Sequence, residues 1–446
     1  MQHAHRITRL SALALGITGA LALGQVHATG FQIRENSVQN LGRANAGTTT
    51  AQDDASVVSN NPAAMTNLDR TTVQADVTVI DLTAEFNGSA TSAFGTPVAG
   101  GDGGDPGEPT AVPAMAVVVP LTGAFEGLTV GASINAPFGL KTEYDADWVG
   151  RYNAITSDLK TIDLTFSAAL QLDEHLSVGA GLIYERAEVT LSNGIDFGTG
   201  LAAQGVPGFA PGSADGQVEF TGDNNGIGFV IGAQYRVNDQ LVLGYAHRTE
   251  IEHELKGNAD FTVPASAAGV FNAFGNTTYN DGAIYAPLTT PALHTASVQY
   301  DVNDQVRLMA DYQRTNWSSL ESVDIYRANG TPIGQEPFNW EDTSMVAIGG
   351  EFDLSDAITL RAGIAADESP TNDTYRTPRL PDNERMLYSI GATWNVSEAL
   401  TVDAAYTRIS IDSPTINNIH SSSNSTLSGR FEGHADLIGI AAQYRF

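Results

Sequence analysis

Few residue groupings in this chain have the spacing of covalent chemistry, and each lacks its partners. Ser157-Asp-Leu-Lys160 has the Ser-x-x-Lys spacing that lets acyl-enzyme hydrolases activate a serine, but it opens an alternating strand pattern and the companion motifs are absent. A Ser/His/Asn hydrolase in a membrane would need a serine beside His247, His253, His294, His420 or His434, and no spacing along the chain predicts one. Gly100-Gly-Asp-Gly-Gly-Asp105 echoes a calcium-binding repeat, which needs tandem copies, so it reads as a flexible acidic loop. His-Glu-x-x-His and P-loop motifs are missing. A cysteine count of 0 removes disulfides and thiolate metal sites. No catalytic residue, metal or cofactor is assigned, and the chain reads as a non-enzyme.

The elements that could position a site are strands. In the closing stretch Ile438, Ile440, Ala442, Tyr444 and Phe446 alternate with Leu437, Gly439, Ala441, Gln443 and Arg445. Alternation on a strand puts the first set on one face, apolar with aromatics near its end. The same period recurs at Ile162, Leu164, Phe166, Ala168 and Leu170 against Thr161, Asp163, Thr165, Ser167 and Ala169, and in later strands through Val402 and Tyr406. Tight polar turns such as Leu172-Asp-Glu-His-Leu176, Val237-Asn-Asp-Gln-Leu241 and Val302-Asn-Asp-Gln-Val306 alternate with long polar stretches near residues 87–110, 192–216, 262–290, 327–341, 367–384 and 412–429. Short turns at one end and long loops at the other are the two sides of an outer-membrane barrel, whose apolar face meets lipid. The count from Thr71 to Phe446 is about fourteen strands, an even number as single-chain bacterial barrels require.

Compartment follows from the start of the chain. Arg6 and Arg9 precede an apolar run from Leu10 to Leu23 and the small-residue pattern Val26-His27-Ala28, which reads as a signal peptide over residues 1–28. The run is shorter than the ~20 residues a spanning helix needs. A net charge of -29 argues against nucleic acid, whose phosphates demand a basic footprint. It is compatible with acidic loops among the divalent cations and lipopolysaccharide of an outer membrane.

A barrel of about fourteen strands is too wide for its own side chains to fill. Residues 29–69, with little alternation and many Ala, Asn, Ser and Thr, are read as a plug, and residues 70–446 as the barrel. Here the residues become specific. Gly30-Phe-Gln-Ile-Arg-Glu-Asn-Ser37, Leu41-Gly-Arg-Ala-Asn-Ala-Gly47 and the Asn61-Pro62-Ala63 motif resemble the N-terminal hatch of the FadL/TodX family of outer-membrane channels for long-chain fatty acids and other hydrophobic compounds. Ala136-Pro-Phe-Gly-Leu-Lys-Thr-Glu-Tyr144, with Trp148, Gly150, Arg151 and Tyr152, resembles that family's third strand and following loop.

The resemblance implies a hatch, with Gly30, Phe31, Asn61, Pro62 and Ala63 as candidate gating residues. It also implies a ligand path that leaves sideways where the third strand kinks, here at Ala136, Pro137, Phe138 and Gly139. The local chemistry agrees, since Pro137 has no backbone donor and Gly139 packs poorly in a strand. For a ligand carboxylate, the candidate cations are Arg248, Arg307 and Arg361, of inward parity, and Lys141 and Arg151 beside the kink. The expected function is passive uptake of long-chain fatty acids, with aromatic hydrocarbons as the alternative cargo; an outer-membrane lipid hydrolase and a general porin are rivals from other classes. Expected partners are the hydrophobic ligand, outer-membrane lipid and lipopolysaccharide, and the chain is expected to be monomeric.

Overall fold

The computed structural model describes residues 30–420 and 423–446, so the expected signal peptide lies outside the described residues. The wall is a closed antiparallel barrel of 14 strands. They are β1 (Thr72–Thr91), β2 (Thr110–Pro120), β3 (Leu128–Asn135 and Gly139–Glu143), β4 (Thr156–Gln171), β5 (Leu176–Asp196), β6 (Asp215–Asn238) and β7 (Leu241–Arg248 and Ile251–Thr262). Then come β8 (Gly282–Thr290 and Leu293–Asn303), β9 (Val306–Thr315 and Ser322–Arg327), β10 (Pro332–Pro337 and Thr343–Ser355), β11 (Ile358–Asp367), β12 (Arg385–Asn395), β13 (Leu400–Ile411 and Thr415–Ile419) and β14 (Thr426–Arg445). Closure is made by β14 against β1 in unbroken register from Thr72↔Arg445 to Thr91↔Thr426, so the first and last strands leave no edge unpaired between them in lipid.

The faces sort as the period of two dictates. Ile162, Leu164 and Phe166 of β4, Ile227, Phe229 and Ile231 of β6, and Ile438 and Ile440 of β14 are exposed on the outside, while Thr161, Asp163, Thr165 and Ser167 are buried within. Each large apolar side chain left in water would forgo about 1.5–3 kcal/mol, so this band fixes where the bilayer sits. The tight turns share one device. Asp173 accepts from the N–H groups of His175 and Leu176, both at 2.8 Å, and Asn238 does the same for Gln240 and Leu241. At the other end the loops carry two short helices, Phe197–Ala203 and Ala265–Phe274. There the strands outrun the sequence pattern: β1 continues to Thr91 through a stretch that reads as loop, because the ladder to β14 is made by backbone groups and needs no apolar face.

The segment before β1 fills the lumen. It holds α1 (Val38–Leu41), α2 (Val57–Asn60) and a 3₁₀ turn (Pro62–Asn67). Val38 and Leu41 pack with Leu387, Ala405 and Leu437 of the wall, and Val58, Ala64 and Met65 with Val118 and Ala169. Wall glycines make this fit possible: a methyl group on Gly363 would lie 2.2 Å from the Arg43 backbone, and one on Gly232 would lie 1.9 Å from Asn61 Oδ1. Charge seals the same contact, since buried Arg43 meets Glu351 of β10 at 2.5 Å.

Candidate ligand passage

The passage begins with a break in the wall. β3 pairs with β4 through Asn135↔Asp163, leaves the sheet over residues 136–138, and rejoins at Gly139↔Lys160. Pro137 cannot donate, and Phe138 N–H turns instead to the Thr161 hydroxyl at 3.0 Å. On the other flank β2 pairs with β3 only between Met115↔Ile134 and Pro120↔Thr129, whereas Thr110 to Ala114 pair with β1 alone. The ladder between β2 and β3 therefore stops partway up the wall.

The start of the hatch takes up the freed backbone. Ile33 N–H donates to Pro137 O at 2.8 Å, and Gly139 N–H donates to Phe31 O at 2.9 Å. Phe31 is locked by aromatic edges, with ring centres 4.7 Å from Trp317, 5.5 Å from Trp340 and 6.0 Å from Phe138. Gly30 sits at φ +37 with Trp317 so close that an added Cβ would lie 2.9 Å from its ring, so only glycine fits.

A cavity of about 810 Å³ connects these features. Its inner lining includes Phe31, Ile33, Ile80, Leu82, Leu387 and Ile411; its outer rim is Pro113, Met115, Ile134 and Ile162. Met115, Ile134 and Ile162 are exposed on the lipid-facing side, so one continuous space runs from the hatch to the outside of the wall. Four cations line it: Lys141 and Lys160 towards the outer rim, and, beside the hatch, Arg34, bound to Asp367 at 2.9 Å, and Arg385, bound to Asp382 at 2.7 Å and donating to Gly30 O at 3.1 Å. Burial raises the carboxyls of Glu35 and Asp382 above their ordinary range, with Arg34 and Arg385 respectively pulling them back.

The cations singled out in the sequence go to several places. Lys141 lies on the outer lip, 2.6 Å from Glu108 across the open stretch between β3 and β2. Arg248 pairs with Asp163 and with Glu185 (2.6 Å), lies 5.7 Å from the Phe138 ring centre, and borders a separate polar cavity of about 90 Å³. Arg307 and Arg361 both hold Glu351 at 2.8 Å beside Arg43, in the seal between hatch and wall rather than on the passage. Arg151 pairs with Asp215 at 3.0 Å in the loop region. Asn61 donates to Thr49 O at 2.7 Å and caps Ala63 N–H, which makes Asn61-Pro62-Ala63 a fixed seat against β5 and β6.

Arg34 and Arg385 were not singled out by sequence reasoning, although Arg34 lies within the hatch motif and Arg385 shares the inward parity of Leu387 and Ser389. Trp317 and Trp340 gave no signal, because they lie between strand segments. The serine that spacing did not predict is Ser423, whose Oγ is 3.2 Å from His420 Nδ1 across the hairpin from β13 to β14. The carboxylate of Glu336 is 3.9 Å from the other ring nitrogen, beyond hydrogen-bond reach, and is engaged by Arg379 at 3.2 Å.

Comparison with known proteins places this geometry. Residues 19–446 match the profile of the outer membrane protein transport protein family (OMPP1/FadL/TodX). The chain is 31% identical to the putative outer membrane protein NMB0088 of Neisseria meningitidis serogroup B, over 96% of this chain and 97% of the relative. It is 30% identical to the long-chain fatty acid transport protein of Salmonella typhi, over 97% and 98%. The crystal structure of a Pseudomonas aeruginosa FadL homologue superposes with a TM-score of 0.88 at 27% identity, covering 94% of this chain and 100% of that one. With a lipid-facing wall, a filled lumen and a match spanning wall and hatch together, the chain belongs to the OMPP1/FadL/TodX family of outer-membrane transport proteins.

Proposed function

We propose that this protein is a passive uptake channel for long-chain fatty acids or similar hydrophobic compounds, released sideways into the bilayer through the gap above Met115 and Ile134. The observation that carries this reading is the single cavity reaching from Phe31 to the lipid-facing rim. Its 810 Å³ lies within the ~300–1,000 Å³ of small-molecule sites. Each methylene gains about 0.8 kcal/mol on leaving water, so an acyl chain needs a continuous apolar track and is best delivered to lipid without crossing the aqueous side.

The moving part is the short stretch around Gly30 to Ile33. It is held by two backbone bonds and one aromatic cluster, whereas Asn61 and Arg43 anchor the rest of the hatch in glycine seats. Ligand entering beside Phe31 competes for the aromatic edges and displaces that stretch from the kink. Arg34 and Arg385 are the cations nearest a carboxylate bound there, and they favour fatty acids over aromatic hydrocarbons. Lys141 and Glu108 close the outer lip, and the barrel acts as a monomer.

The test uses the chain's lack of cysteine. Glu108→Cys with Lys141→Cys, joined by a short bismaleimide, should block oleate uptake in a strain lacking its own channel, with each single variant treated alike remaining active. Uptake unaffected by the cross-link would exclude the lateral route. Parallel assays with toluene decide the cargo class.

A further inference from the structure

On the side of the long loops the passage lies beneath the connection between β11 and β12, residues 368–384. A connecting segment normally runs over the surface, where water satisfies its backbone. Here residues 376–382 are all buried. The segment crosses the bore. Arg379 donates to Thr156 O at 3.1 Å, to Ser157 Oγ at 3.2 Å and to Asn193 Oδ1 at 3.3 Å, on β4 and β5. β4 stands seven strands from β11 in a wall of 14, so this latch is on the far side of the barrel.

Leu380 points from that span into the passage. It packs into the cluster of Phe31, Phe138, Trp317 and Trp340 and lines the 810 Å³ cavity. It also borders a second cavity of about 40 Å³, against Thr83, Ala84 and Phe431 of the wall. Leu82, Leu140 and Arg385 border both spaces, so Leu380 stands where they meet. The segment is otherwise held by polar bonds, which water can replace. Thr142 and Tyr144, just past the kink, donate to Arg379 O at 3.0 Å and to Pro378 O at 2.7 Å, and Arg376 donates to Thr415 O at 2.6 Å. Apart from its prolines it buries one apolar side chain, Leu380, while Tyr375 stays exposed. Pro378 and Pro381 fix the backbone on either side of Arg379 and Leu380, so these residues move as one piece.

We infer that residues 368–384 are the outer lid of the passage, with Leu380 as its stopper and Arg379 as the positioning residue that latches it to the far wall. Lifting the lid opens the passage to the loop side, where cargo arrives, and the hatch governs release at the other end. The lid and the hatch meet at one point, since Leu380 shares the Phe31 cluster and Arg385, at the root of the lid, donates to Gly30 O. This rests on the reading of the cavity as an uptake route, although the opening of the lid is measurable without cargo.

Thr142→Cys with Arg379→Cys places two thiols at the latch of a chain that has no other cysteine. In a strain lacking its own channel, the oxidised variant should lose oleate uptake and regain it on reduction, with thiol counting to verify the disulfide. Equal uptake in the two forms would overturn the lid. The second measurement needs no cargo. Leu82→Cys, behind the stopper, is labelled in detergent with a sulfonated maleimide, which the detergent belt keeps from the lipid-facing gap. Adding Arg379→Ala should speed labelling about tenfold, the effect of losing one or two net hydrogen bonds at the latch. Arg379→Lys, which keeps a donor there, should recover most of the protection. Gel migration of unheated samples verifies that each variant is folded. Unchanged labelling in Arg379→Ala would overturn the lid, whereas faster labelling alongside a wild type that takes up neither oleate nor toluene would uphold the lid and remove the uptake reading.

Discussion

Phe31 is the residue on which the passage turns, and its energetics are local. Truncating a buried Phe costs about 3–5 kcal/mol where the neighbours cannot collapse, and here three aromatic rings surround it. Phe31→Ala should release residues 30–36 while the wall stays intact, read as faster amide exchange confined to that peptide and as altered Trp317 and Trp340 fluorescence. Gly30→Val should do the same by a different route, through a strained backbone and a clash with Trp317. Glu35 adds a pH dependence. Its carboxyl is raised by burial, so its stabilising contribution is complete below the ordinary carboxylate range and is lost as pH rises through the raised value. Exchange protection of residues 30–36, corrected for the intrinsic rate, should therefore fall with rising pH in that window, and Glu35→Gln should flatten the profile.

Among the elements, β3 and the hatch depend on each other. β3 gives up its ladder at Pro137, and the hatch supplies two backbone bonds there, so displacing residues 31–33 should leave those groups at the gap unpaired. The rest of the hatch is held more firmly. Arg43 and Glu351 are both buried, and removing one partner of such a pair costs about 3–5 kcal/mol because the other charge is stranded. Arg43→Ala should loosen the plug and raise single-channel conductance in planar bilayers, while wild type should conduct little. A wild-type conductance like that of an open pore would instead favour a general porin.

At the scale of the molecule, closure and charge decide behaviour. With β1 and β14 zipped along their whole length, the barrel should migrate as a compact species on unheated gels and require detergent for solubility. Much of this was legible in the order of residues. The alternation around Phe166 and Ile440 and the polar turns at Asp173 and Asn238 each follow from short-range chemistry, because strand parity and turn capping depend on neighbours in sequence, whereas the hatch and kink motifs were legible only through the family resemblance. Short-range too is the bend at Pro137, which any sheet would feel. What joined Phe31 to Trp317, Arg34 to Asp367 and Gly363 to Arg43 was the closing of the cylinder, which brings together residues hundreds of positions apart. No local period encodes those meetings. The chain order by itself set which face of each strand meets lipid; only the closed wall decided which cations border the passage and which are spent sealing the plug.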